Sequence, residues 1–88
     1  MKSQASPRFW QLYKDLPKDV QRLAVKNYRL WRANPTHPSL RYRRLEGREN
    51  LVTVRVGDHY RALGLIEPDV VVWIWIGSHA EYDRLIRG

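Results

Sequence analysis

Cysteine is absent from this 88-residue chain. That excludes disulfide staples, thiolate nucleophiles and cysteine-ligated metals, and it fits a reducing compartment. Long apolar runs are absent as well. The longest, Val70–Ile76, falls far short of the ~20 residues that a membrane helix needs. Residues 1–10 contain no apolar segment of the secretory kind, so a soluble cytoplasmic protein is the expectation. The three histidines are scattered, and no HExxH, P-loop, GxGxxG or GxSxG motif occurs. Neither a bound metal nor a nucleotide cofactor is therefore expected. Acidic side chains are scarce: nine Asp and Glu stand against sixteen Lys and Arg, a formal charge of +7.

What is present points to a small folded domain. Hydrophobic residues make up 43%, with four Trp and five Tyr, which argues against disorder. The length allows one domain, residues 1–88, with one modest core. Twelve of the sixteen cations are arginine. The planar guanidinium fork suits phosphate and carboxylate better than a lysine point charge does. The charge favours a polyanion such as RNA, or an acidic protein partner. A solvated basic surface that only keeps the chain soluble is the plainer alternative.

Periodicity outlines the elements. Ser6-Pro7 reads as a helix start, and Phe9, Leu12, Tyr13 and Leu16 form one helical face. Pro17 opens a second helix with Asp19 in its first turn and Val20, Leu23, Ala24, Leu30 and Trp31 as its apolar stripe. Asn34-Pro35 ends it. Strand patterns follow at 40–45, 51–56, 60–66 and 70–76, with turns at 46–50, 57–58 and 67–69. Trp73 and Trp75, two apart on the last strand, are expected to share one face. Ser78 can cap a short last helix through His79, Tyr82 and Leu85. The expected architecture is α+β: a helical hairpin packed on an antiparallel sheet of three or four strands, one face partly open, then a C-terminal helix.

The chemistry-bearing residues lie in the last third. Burying Val52, Val54 and Val56 under the helices sends Thr53 and Arg55 to the opposite face, expected to be open. In a tight hairpin register Arg61 lies near Arg55, and two such arginines can clamp a phosphate. Each could equally pair with a surface carboxylate such as Asp58, Glu67 or Asp69. His79 opens a helix and could move a proton near neutral pH. Tyr82, one turn on, shares its helix face and could stack on a base, position a proton or simply pack.

The elements Arg55-Val-Gly-Asp-His-Tyr-Arg61 and Gly77-Ser-His-Ala-Glu-Tyr82, set behind a helix pair and a strand meander, resemble those of the RelE/ParE superfamily of bacterial toxin–antitoxin toxins. The resemblance spans about Phe9 to Leu85. It implies an RNase-like fold, growth arrest as the cellular effect and a cognate antitoxin as partner. It also implies metal-independent cleavage of mRNA, usually on the ribosome, by attack of a 2′-hydroxyl on the adjacent phosphate. By position, Arg61 matches a phosphate-binding arginine and Arg55 a charge-stabilising basic residue. His79 and Tyr82 match the region that supplies an acid, a base or a stacking group. Thr53 stands where many members carry another Lys or Arg, and Arg41, Arg43 or Arg44 could compensate. Many members also begin with a β-strand, for which the residues before Pro7 look short and polar. Two other readings are a ParE-like toxin that grips a protein such as DNA gyrase and a non-toxic RNA-binding domain.

Overall fold

In the computed structural model, which describes residues 2–87, the chain folds as β1 (Lys2–Ala5), α1 (Pro7–Lys14), α2 (Lys18–Ala33), a 3-10 turn (Pro38–Leu40), β2 (Arg43–Leu45), β3 (Arg48–Val56), β4 (Tyr60–Glu67), β5 (Val70–Ser78) and α3 (His79–Arg87). The α+β arrangement of a helical hairpin on a sheet, followed by a short last helix, is as expected. The strand count is not. The sheet has five strands in the order β1-β5-β4-β3-β2, and β1 pairs with β5 in parallel. The polar segment before Pro7 thus forms an edge strand. Four residues suffice there because an edge strand is hydrogen-bonded on one side only, and Lys2 suits that edge. None of the described helices is long and apolar enough to cross a membrane.

The two N-terminal helices stop and start where local chemistry requires. Ser6 Oγ accepts the Phe9 amide at 3.2 Å, satisfying a donor that the first turn of α1 leaves free. The end of α1 is held by Gln21 of α2, whose side-chain amide donates to the carbonyls of Tyr13 at 2.9 Å and Leu16 at 3.3 Å. Asn27, which breaks the apolar stripe of α2, donates from Nδ2 to the Arg55 carbonyl at 3.3 Å. Its polarity thereby fastens the helix to β3.

The core lies between this hairpin and one face of the sheet. Val52, Val54 and Val56 of β3, Ala62 of β4, Val71, Trp73 and Ile76 of β5, Trp31 of α2 and Leu40 form one buried cluster. Leu40 was expected to begin a strand. It instead ends the 3-10 turn, completely buried, and Arg41 follows with a left-handed φ of 47°. The extended segment therefore starts only at Arg43.

Two expectations about faces are corrected. Trp73 and Trp75 do not share one. Leu63 pairs with Trp75 while its neighbour Gly64 pairs with Trp73, so Ile74 is an extra residue in β5. A bulge of this kind shifts the alternation by one. Trp73 packs edge-on against Trp31 in the main core, ring centroids 5.2 Å apart, whereas Trp75 meets Tyr82 of α3 on the other side at 6.3 Å. Thr53 does lie opposite the hairpin, but that face is not open there. Thr53 is 3% exposed, and its cross-strand partner Leu63 is 4% exposed.

Candidate functional site

The β3–β4 hairpin carries the first two arginines. Val56 pairs with Tyr60 and Arg55 pairs directly with Arg61. Directly paired residues project from the same face of an antiparallel ladder. The three-residue connection is possible because Gly57 takes a φ of +64°, which costs glycine little. A β-carbon at Gly57 would lie 2.3 Å from Leu23 of α2, so the turn is also pressed against the helix.

The end of β5 and the start of α3 bring the remaining groups. Ser78 Oγ accepts the Glu81 amide at 3.1 Å, while Glu81 Oε1 accepts from Ser78 N at 3.1 Å and from Ser78 Oγ at 3.0 Å. This reciprocal capping box fixes the first turn of α3. The two bonds donated by Ser78 hold the Glu81 carboxyl below the usual carboxylate range. The His79 amide donates to the His59 carbonyl at 2.7 Å, tying the helix start to the β3–β4 turn.

The result is an open basic pocket of about 190 Å³ lined by Arg41, Arg55, Asp58, Tyr60, Arg61 and His79. Arg61 is its hub. Its Nε donates to His79 Nδ1 at 3.3 Å, and its guanidinium sits 5.4 Å from the centre of the Tyr82 ring. His79 stacks on that ring, centroids 6.2 Å apart and planes 15° from parallel. Because Nδ1 accepts from Arg61, the proton of a neutral His79 belongs on Nε2, which faces Asp83 Oδ2 at 3.7 Å. Arg55 is already occupied. Its Nε donates to the Gly57 carbonyl at 2.9 Å and its terminal nitrogen pairs with the Asp58 carboxylate.

The structure thus brings together four of the seven residues singled out from sequence: Arg55, Arg61, His79 and Arg41. Tyr82 lies behind them as a buried support, 7% exposed between Trp75 and His79. Arg43 stays outside the pocket. It pairs with Thr53 in the ladder and is exposed. Arg44 is bound to the Glu49 carbonyl at 2.6 Å. In the sequence Asp58 reads only as a counter-ion, and Tyr60 only as part of the hairpin element. The Ser-x-x-Glu spacing at 78–81 was a legible sign of the capping box.

The family model for the ParE-like toxin domain matches residues 18–84. Several solved structures share the fold. The toxin–antitoxin complex of RelE and RelB from Methanococcus jannaschii superposes with a TM-score of 0.70 at 18% identity, covering 92% of this chain and 96% of that one. A YoeB/ParE toxin from Agrobacterium tumefaciens gives 0.71 at 14% identity, with 90% and 99% covered. The isolated RelE toxin of E. coli gives 0.68 at 15% identity, with 98% and 96% covered. No functionally curated protein matches the sequence.

Proposed function

The chain belongs to the family of ParE-like toxin domains, and from that membership we propose that it is the cytoplasmic toxin of a toxin–antitoxin pair, an endoribonuclease that cleaves messenger RNA on the ribosome. An antitoxin partner is supported by the structural relatives, of which the Methanococcus jannaschii RelE is held in complex with RelB. One observation carries the ribonuclease reading: the Arg61 guanidinium touches the Nδ1 atom of His79 while standing across the ladder from Arg55. That contact supports a reading in which phosphate recognition and proton transfer lie within one side chain's reach.

The steps follow from that contact. A phosphate draws the Arg61 guanidinium away from His79 and frees the Nδ1 lone pair. Nδ1 takes the proton of the 2′-hydroxyl, whose oxygen bonds the adjacent phosphorus. The bond from phosphorus to the 5′-oxygen breaks. That oxygen receives the proton back from the imidazolium, leaving a 2′,3′-cyclic phosphate and a 5′-hydroxyl end. Arg61 and Arg55 hold the added negative charge on the non-bridging oxygens, with Arg41 at the pocket rim. A well-placed donor of this kind contributes on the order of 10²–10³ in rate, and a positioned proton carrier ~10²–10⁴. Tyr82 serves as the platform that keeps Arg61 and His79 in register.

The test is translation of a defined message with ribosomes, followed by mapping of the cut ends. Cleavage by the wild type and its loss in His79→Ala and Arg61→Gln are expected. Equal cleavage by His79→Ala sinks the proton-transfer assignment.

A second reading, a ParE-like toxin that grips a protein such as DNA gyrase without cleaving RNA, draws on the occupied state of Arg55 and the uncharged Thr53. It predicts growth arrest that survives His79→Ala, together with impaired DNA supercoiling.

A further inference from the structure

A second cationic surface lies on the opposite side of the molecule. Helix α2 carries Lys18, Arg22, Lys26, Arg29 and Arg32 against a single acid, Asp19. It therefore holds +4 of the chain's formal +7. At 100° per residue, Lys18, Arg22, Arg29 and Arg32 project within one narrow arc directly away from the buried Val20 and Trp31, with Lys26 beside them. All five are exposed. Neither of the two ion pairs among the described residues involves any of them. The stripe runs about 21 Å at 1.5 Å per residue. Like charges four apart repel along a helix, so this sequence retains a local cost that a bound polyanion would remove.

The position of the stripe separates it from the pocket. The inner side of α2 is fastened to the Arg55 carbonyl by Asn27 and pressed on Gly57 by Leu23. The Arg55 and Arg61 side chains leave the sheet from its other face. A helix ~10–12 Å thick and the sheet itself stand between the two cationic surfaces. One short single strand lying in the pocket cannot also lie along the stripe.

We infer that the outer face of α2 is a second, sequence-independent contact for RNA, engaging the sugar–phosphate backbone of a folded RNA while the pocket holds the strand to be cut. The choice of RNA rests on the ribonuclease reading of the pocket. A nucleic acid fits this face better than a protein does. The stripe lines a shallow groove with Tyr13, Gln21 and Val25, and its cations outnumber the apolar members, whereas protein interfaces are depleted in lysine and anchored by several buried aromatic and apolar side chains. Phosphate contacts from Lys and Arg position a ligand without reading its bases.

The experiment measures binding of the full chain to three fluorescent probes: a short single-stranded RNA, an RNA stem-loop with a single-stranded arm, and a duplex DNA. The quadruple variant Lys18→Gln, Arg22→Gln, Lys26→Gln, Arg29→Gln is compared with wild type and with Arg61→Gln, and thermal melting verifies that each is folded. The α2 variant is expected to lose at least tenfold in affinity for the stem-loop. Its log–log salt slope should flatten by roughly one unit per phosphate contact removed, while binding of the short strand stays within a factor of two or so. Arg61→Gln should show the reverse preference. If Arg61→Gln changes neither RNA while the α2 variant still loses the stem-loop, the pocket reading fails and the α2 contact stands. Unchanged stem-loop binding by the α2 variant overturns the inference. So does a loss confined to duplex DNA, or displacement of the stem-loop by poly-glutamate at matched charge.

Discussion

Arg61 and His79, eighteen residues apart in sequence, meet through a 3.3 Å contact from guanidinium Nε to imidazole Nδ1. Neither is in the main core. The contact exists because β4 pairs with β5, placing Arg61 opposite Gly77, and because a capping box turns the chain into α3 immediately after Ser78. Removing the hub should separate function from folding. Arg61→Gln is expected to lower RNA cleavage by about 10²–10³ and shift the melting temperature little. Arg61→Lys should recover only part, because a point charge lacks the planar fork that grips two phosphate oxygens at once. Single-turnover cleavage assays and thermal melts check both.

Asp58 competes with substrate in the same pocket. Its carboxylate occupies the Arg55 guanidinium that a phosphate would need. Asp58→Asn is therefore expected to tighten binding of a short RNA by up to roughly fivefold, the scale of an exposed charge pair. In an Arg55→Gln background the same change should give much less. A double-mutant cycle by fluorescence anisotropy separates this specific competition from a general gain of positive charge.

Tyr82 distinguishes a platform from a proton donor. Tyr82→Phe should keep cleavage within a few-fold, because the ring that supports Arg61 and His79 remains. Tyr82→Ala removes a buried ring and should cost about 3–5 kcal/mol of stability along with activity. A large loss of activity in a stable Tyr82→Phe protein assigns the hydroxyl a chemical role instead.

Glu81 gives the fold a pH dependence. Its carboxyl is held below the usual range by the two bonds from Ser78. A group whose folded value is depressed contributes stability above its unfolded value of 4.5 and loses it as pH falls through the folded value. Acidification below about pH 4.5 should therefore narrow the stability difference between wild type and Glu81→Gln. Thermal melting of both proteins across that range tests it.

Gly64 is a packing requirement. A β-carbon there would come within 2.8 Å of Val71 and 3.0 Å of the Trp73 ring. Gly64→Ala should destabilise the protein by about 1–3 kcal/mol, seen as a lower denaturant midpoint with an unchanged slope.

Much of the helical hairpin was legible because its signals are local. Ser6, Pro7 and Pro17 mark starts, Asn34-Pro35 marks an end, and the apolar spacing has a helical period. The Arg55–Arg61 pairing was legible for a related reason: a short turn fixes its own register. What escaped depends on distant partners. Nothing in Lys2–Ala5 announces a strand, since its partner β5 lies almost seventy residues on. Leu40 looks like a strand residue because burial and strand propensity favour the same side chains. Thr53 reads as an open-face residue only until the second face is seen to be closed. Alternation cannot reveal an inserted residue, so by sequence alone Trp73 and Trp75 share a face that the bulge in fact divides.

That inserted residue, Ile74, sets the phase between the two halves of β5. Extending the pairing from Gly64 with Trp73, with Ile74 paired in turn instead of bulging, would set Arg61 opposite Ile76 rather than Gly77. Trp75 would turn into the main core, and α3 would begin one step out of frame. The upstream half of β5 is keyed to the helical hairpin and the downstream half to the basic pocket. Deleting Ile74 should therefore straighten the strand yet keep Leu63 opposite Trp75 and Arg61 opposite Gly77, so the contact between Arg61 and His79 is expected to survive the loss of a residue from the middle of β5.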